Sequence, residues 1–272
     1  MVQHLIVPTD GSDAAWRAAD IAFDLARRCD ATVEIVEFVA HDDDVESTTR
    51  RLAARLTQHD TAGADVRYAA MVAPDSVASA LADLVTAQPD AVVVMASHGR
   101  GRSAALMGSV TEELLRLEFG PLLVVGPRCD HPDLSGHTDV TGPIIATVDG
   151  STASESALAL AVAWGIELRA EPWVVQVTGP DSTGADESAY PARLARNLTQ
   201  ESGHPVQFEV LHGPDIPIAV SEFATTVSAS MIVATTHGRS GLSRFVTGST
   251  AAAIVHHAPC PVLLLRPPHL TS

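Results

Sequence analysis

Lysine is missing from this 272-residue chain: all 17 of its basic residues are arginine. That excludes a phosphate-loop lysine, a kinase-type strand lysine and a Schiff-base lysine together. Positive charge is short as well. Against 33 acidic residues the formal net charge is −16, which argues against nucleic acid as a sequence-independent partner, because such binding rests on neutralising phosphates. Cysteine is sparse. Cys29, Cys129 and Cys260 stand apart without a C-x-x-C spacing, so they read as ordinary thiols and suggest neither a zinc site nor a disulfide framework. No apolar run approaches the roughly 18 residues that would span a bilayer. The N-terminus shows no basic segment followed by an apolar core, so we expect a cytoplasmic protein without a membrane partner.

What is present is a duplication. Asp10-Gly11-Ser12 returns as Asp149-Gly150-Ser151, and His98-Gly99-Arg100 as His237-Gly238-Arg239, both displaced by 139 residues. Arg51-Leu52-Ala53 and Arg193-Leu194-Ala195 are 142 apart, and Pro74-Asp75 and Pro214-Asp215 are 140 apart. An offset that drifts and returns indicates small loop insertions within one repeated fold. The period is too long for a solenoid, so each copy should be a complete domain of about 130 residues, enough to bury its own core. Domain boundaries are expected at 1–128 and 143–272. Cys129 to Gly142, rich in Pro, Gly, Asp and His, reads as the linker over 129–142.

Each copy alternates short apolar runs with helical patterns. Leu5-Ile6-Val7 and Ile144-Ile145-Ala146 open the halves, and each is followed by the Asp-Gly-Ser turn. Trp16, Ala19, Phe23 and Ala26, like Leu158, Ala161, Gly165 and Leu168, then follow helical spacing. Second strands run from Val33 to Val39 and from Trp173 to Val177. A third strand alternates most clearly at Val206, Phe208 and Val210. Fourth strands (Ala91 to Met95; Met231 to Ala234) precede the glycine loops. Fifth strands are Leu122 to Val125 and Val262 to Leu265. This order predicts an α/β fold, two tandem domains each with a five-stranded parallel sheet flanked by helices. Exposed apolar fifth strands invite pairing between the two halves.

The glycine loops suit phosphate binding, through close backbone approach, exposed N–H groups and a helix N-terminus. Several residues carry a second, plainer reading. Asp10 and Asp149 fit either a ligand contact at the sheet end or an N-cap or Asx-turn. Ser109-Val110-Thr111-Glu112 spells a capping box, which Ser249 lacks. His98 and His237 fit a phosphate or ribose contact or a plain turn. Asp42-Asp43-Asp44 lacks the ligand spacing of a calcium loop and reads as solvated, so no metal site is expected.

On Pro8-Thr9-Asp10-Gly11-Ser12, Ser97-His98-Gly99 with Gly108-Ser109-Val110, Thr236-His237-Gly238 with Gly248-Ser249-Thr250, and His257 to Leu264, both halves resemble universal stress protein domains, and the chain resembles a tandem member of that family. The resemblance implies a Rossmann-like fold of the adenine nucleotide alpha hydrolase type. It also implies ATP, with or without Mg²⁺, as the cofactor. In the first half the implied binding set is Pro8, Thr9, Asp10, Phe38, Met95, His98, Gly99, Arg100, Gly108, Ser109 and Val110. In the second it is Asp149, Val177, Ala234, His237, Gly238, Arg239, Gly248, Ser249 and Thr250. Asp10 and Asp149 would meet adenine or ribose, Phe38 and Val177 the base, and the glycines and serines the triphosphate. Arg100, Arg102, Arg239 and Arg244 are available counter-charges.

Neither half matches the ATP-binding signature of the family throughout. Its first glycine is Ala96 in one half and Thr235 in the other. Eight residues, Arg100 to Met107, separate Gly99 from Gly108, where the second half has nine. Thr147-Val148-Asp149 also departs from Pro8-Thr9-Asp10. Three functions therefore stand side by side: a nucleotide-binding stress-response regulator, an interaction protein with degenerate sites, and an adenylyl- or phosphoryl-transferase. Against the last, no nucleophile–base pair or paired carboxylates emerge, so at most slow ATP hydrolysis is expected. The partner set is adenine nucleotide and a second copy of the chain.

Overall fold

The computed structural model describes residues 2–61, 63–88, 90–99, 107–117, 120–129, 142–180, 182, 187–236 and 249–267. The described residues up to Pro127 form one compact unit, and Arg128, Cys129 and those from Gly142 onward form another. Most of the expected linker, 130–141, lies outside the described residues.

The first unit runs β1 (His4–Pro8), α1 (Asp13–Cys29), β2 (Thr32–Val39), α2 (Val45–Leu56), β3 (Asp65–Val72), α3 (Val77–Ala87), β4 (Ala91–Ala96), α4 (Ser109–Arg116) and β5 (Leu122–Val125). Its strands lie in the order β3-β2-β1-β4-β5, all parallel. From β1 the chain works outward to β3, then returns to β4 and proceeds the other way to β5. Strand order therefore reverses between β1 and β4, where ligands of open α/β sheets collect. Asp42–Asp44 form an exposed single 3-10 turn before α2.

Helix α1 shows why the periodic reading works. Trp16, Ala19, Phe23 and Ala26 are all buried, one turn apart on a single face. Behind that face Trp16 stacks on His59, with ring centroids 4.6 Å apart at 20°. His59 Nδ1 lies 2.7 Å from Asp20 Oδ1, and Arg55 Nη2 donates to Asp13 Oδ1 at 2.8 Å. The end of α2 and the turn after it are thus fastened along α1.

The second unit runs β6 (Ile144–Val148), α5 (Thr152–Glu155), α6 (Leu158–Leu168), β7 (Pro172–Thr178), α7 (Ala189–Ser202), β8 (Gln207–His212), α8 (Ile216–Thr226), β9 (Met231–Thr235), α9 (Ser249–His257) and β10 (Val262–Leu265). Its strand order is β10-β9-β6-β7-β8, again all parallel. Where the first unit has one helix, this one has two. Ser154 Oγ donates to Ser151 O at 2.9 Å and Ser156 Oγ to Ala153 O at 2.7 Å. These hydroxyls compete with the helical ladder at the break. Phe208 fits the alternating sequence pattern yet is not buried: on the edge strand β8 it is 40% exposed.

Gly165, inside α6, gives a test of packing against propensity. Alanine in a helix is ordinarily about 1 kcal/mol better than glycine. Here a Cβ would stand 2.6 Å from Pro172 Cγ and 3.0 Å from Ala170 O. Overpacking costs about 1–3 kcal/mol, so Gly165→Ala should lose on the order of 1 kcal/mol net. Urea unfolding checks the sign, and a stabilised variant would refute the packing argument.

Candidate functional site

The turn after β1 is built by three local bonds. Gly11 N donates to Thr9 Oγ1 and Ser12 N to Asp10 Oδ1, both at 2.9 Å, while Ser12 Oγ accepts from Ala15 N at 3.2 Å. Ser12 is therefore the N-cap of α1, and Asp10 forms an Asx-turn. Gly11, at φ 77°, supplies the left-handed residue that this turn needs. The other carboxylate oxygen of Asp10 lies over Gly99: a Cβ there would stand 2.5 Å from Asp10 Oδ2. Glycine at position 99 is what lets the β1 turn and the loop after β4 meet.

That loop is anchored on both sides. Ser97 N donates to Val125 O at 2.8 Å, and Gly108 N to Ser97 O at 2.6 Å. Gly108, not Ser109, occupies the N-cap position of α4. The capping-box expectation for Ser109 is thus corrected: the bond from Gly108 N back to Ser97 O draws the helix start one residue earlier. Ser109 is instead the first helical residue, beside the unpaired N–H groups of the first turn. Thr111 Oγ1 donates to Met95 Sδ at 3.7 Å, fixing the thioether beneath the loop. Ser97 Oγ and His98 Nδ1 are 3.1 Å apart, a hydroxyl–imidazole pair that sequence reasoning did not anticipate. Ser97 is buried and is not part of the cavity lining, so the pair orients the His98 ring and offers no exposed nucleophile.

These pieces enclose a cavity of about 280 Å³ at the reversal of strand order, near the lower end of the range for small-molecule sites. Pro8, Thr9, Asp10, Phe38, Met95, His98, Gly99, Gly108, Ser109 and Val110 all line it. Arg100 lies outside the described residues. Ala15, Val77, Ala96 and Thr111 line it too and were absent from the expected set. Ala96 was already notable as the missing glycine, whereas Val77 and Ala15 carry no motif that would reveal them.

In the second unit Asp149 repeats the Asx-turn, its Oδ1 accepting from Ser151 N at 3.0 Å and Ser151 Oγ at 2.6 Å. Val177 lies near the end of β7. Ala234 is buried on β9. Ser249 and Thr250 open α9 and are exposed. His237, Gly238, Arg239 and Gly248 lie outside the described residues.

Beside this turn stands a group that the motifs did not indicate. Tyr190 Oη donates to Glu155 Oε1 at 2.9 Å, and Arg193 Cζ lies 5.6 Å from the Tyr190 ring centre. Burial, then the Glu155 bond and charge and the Asp149 charge, push the phenol well above its ordinary range, so it stays a donor. The first unit differs at this place. Its Arg51 pairs with the buried Glu37, whereas the equivalent of Glu37 is Gln176, whose Oε1 is buried without a hydrogen bond.

Parallel sheet, duplicated units and a glycine-lined loop at the reversal point define a tandem α/β protein. A model of the universal stress protein family matches residues 1–126 and again 141–266; the chain belongs to that family. Universal stress protein Rv2005c of Mycobacterium tuberculosis is 32% identical over 197 residues, covering 64% of this chain and 61% of that protein. A Mycolicibacterium smegmatis universal stress protein is 27% identical over 212 residues, covering 71% and 67%. The chain thus spans about three-fifths of the length of the mycobacterial relatives it matches at 32%. The crystal structure of a universal stress protein from Archaeoglobus fulgidus shares the fold over 98% of this chain and 97% of its own, with TM-score 0.70 and 17% identity.

Proposed function

We propose that the chain is an adenine-nucleotide-binding stress-response protein whose first unit holds ATP, with occupancy regulating conformation or partner contacts. The observation that carries this reading is the cavity at the strand-order reversal, lined by the apolar Pro8, Phe38 and Met95 together with a carboxylate turn and a helix start. Apolar walls suit a base, Asp10 can accept from a hydroxyl or amino group, and the N–H groups of Ser109 and Val110 at the start of α4 suit phosphate. Mg²⁺ would enter through the triphosphate oxygens. The polar side chains that line the cavity are Thr9, Asp10, His98, Ser109 and Thr111. No base among the described residues is poised at an exposed nucleophile, so turnover of bound ATP should be slow. Among the described residues no helix is long and apolar enough to cross a membrane, and we place the protein in the cytoplasm, as a homodimer.

Ala96 and Thr235 at the first glycine position favour the second reading, an interaction protein with degenerate sites. Mass spectrometry of small molecules released from protein purified without added ligand separates the two. Released ATP or ADP at a stoichiometry of up to one per site is expected. Absence of nucleotide, together with no binding of added ATP by calorimetry, would leave the degenerate reading standing.

A further inference from the structure

One wall of the first-unit cavity comes from α3, which contributes no motif. Its first residue, Val77, lines the cavity, and the residue before it is tied in two directions. Ser76 Oγ accepts from Ser79 N at 3.0 Å as the N-cap and donates to Glu113 Oε1 at 2.8 Å. Glu113 belongs to α4, whose opening residues Ser109, Val110 and Thr111 line the same cavity. A hydroxyl-to-carboxylate bond is charge-assisted and stronger than a neutral one. It joins the N-cap of α3 to the middle of α4 and so ties together the two helices that contribute to the lining.

Resting on the nucleotide reading above, we propose that Val77 is a specificity-determining wall for the nucleobase and that the Ser76–Glu113 bond is the brace positioning it. An isopropyl group offers neither donor nor charge to a phosphate. Like Pro8, Phe38 and Met95, it gives the cavity an apolar lining, which suits the face of a base. Its bulk therefore sets the width available to the ring system. Glu113 is a positioning residue: it acts on the ligand through Ser76 and the start of α3.

The test is calorimetry on the full chain with ATP and, separately, with inorganic tripolyphosphate. The first-unit site is assigned as the one lost in Gly99→Val. Val77→Ala should weaken ATP about tenfold, as the lost contact of two methyl groups implies, and leave tripolyphosphate within about twofold. Val77→Phe should exclude ATP and keep tripolyphosphate. Glu113→Leu should weaken ATP by about tenfold, whereas Glu113→Gln, whose amide oxygen still accepts from Ser76, should restore it to within about twofold. Unchanged ATP affinity in Val77→Ala and Glu113→Leu, or a parallel fall for tripolyphosphate, overturns the proposal and leaves the nucleotide reading intact. A wild-type isotherm indistinguishable from that of Gly99→Val overturns both.

Discussion

Gly99→Val should remove nucleotide binding from the first unit, by at least about 100-fold, while the chain stays folded. Gly99 adopts no left-handed backbone, so the obstacle is space and not dihedral strain. A Cβ would stand 2.5 Å from Asp10 Oδ2, closer than any real contact of that kind. The carboxylate cannot simply swing aside, because its other oxygen accepts from Ser12 N in the turn that starts α1. Either the Asx-turn breaks or the loop after β4 moves, and the two extra methyl groups enter the cavity. Both outcomes separate the carboxylate from the helix start that a nucleotide bound as proposed would bridge, and about 2.7 kcal/mol of lost binding corresponds to 100-fold. Calorimetry with ATP, with circular dichroism as the fold control, measures it. Wild-type affinity at the first site in a folded variant would show that the loop after β4 is not the phosphate cradle.

The largest effect on stability should come from Trp16→Ala. Trp16 is 2% exposed in the core of the first unit, stacked on His59, with Arg55 Cζ 6.0 Å from its ring centre. Truncating a buried tryptophan costs about 3–5 kcal/mol. The loss should appear in the unfolding transition of the first unit alone, since each unit has its own core. Urea unfolding followed by circular dichroism, with the two transitions fitted separately, is the measurement. A loss below about 1 kcal/mol would mean that the indole is not a core anchor.

The same cluster has a pH signature. Burial pushes the Asp20 carboxyl up, against the opposing His59 hydrogen bond and the charges of His59 and Arg55. A raised folded-state value means that the protonated form is favoured by folding. Its contribution is complete below the ordinary aspartate value of 3.8 and fades as pH rises through the folded value. An asparagine side chain cannot ionise, so stability of Asp20→Asn relative to wild type should improve as pH rises through that window. A difference that runs the other way would show that the His59 partnership outweighs desolvation.

The fold was legible because burial on both faces of a parallel sheet demands continuous apolar strands, and helices covering it demand apolar positions one turn apart. Trp16, Ala19, Phe23 and Ala26 meet the second demand and Ala91 to Ala96 the first. Local competition was harder to read. Ser109 has a capping-box sequence, yet the bond from Gly108 N to Ser97 O sets the helix start a residue before the box would. Ser154 and Ser156 look compatible with one long helix, but their hydroxyls return to nearby carbonyls and divide it. Phe208 alternates correctly and still faces solvent, because an edge strand has no obligation to bury both sides.

By itself the sequence determined the duplication, the order of elements in each unit, the absence of lysine chemistry and the glycine, aspartate and serine residues that border the cavity. These follow from local periodicity, turn chemistry and composition, which act over a few residues. Only the tertiary structure decided which other groups join them. Val77 reaches the cavity because α3 returns across the sheet from its edge strand. Glu113 meets Ser76 across 37 positions, and Tyr190 meets Glu155 across 35. Such contacts depend on where the crossover connections place whole helices, and no local pattern of residues records that placement.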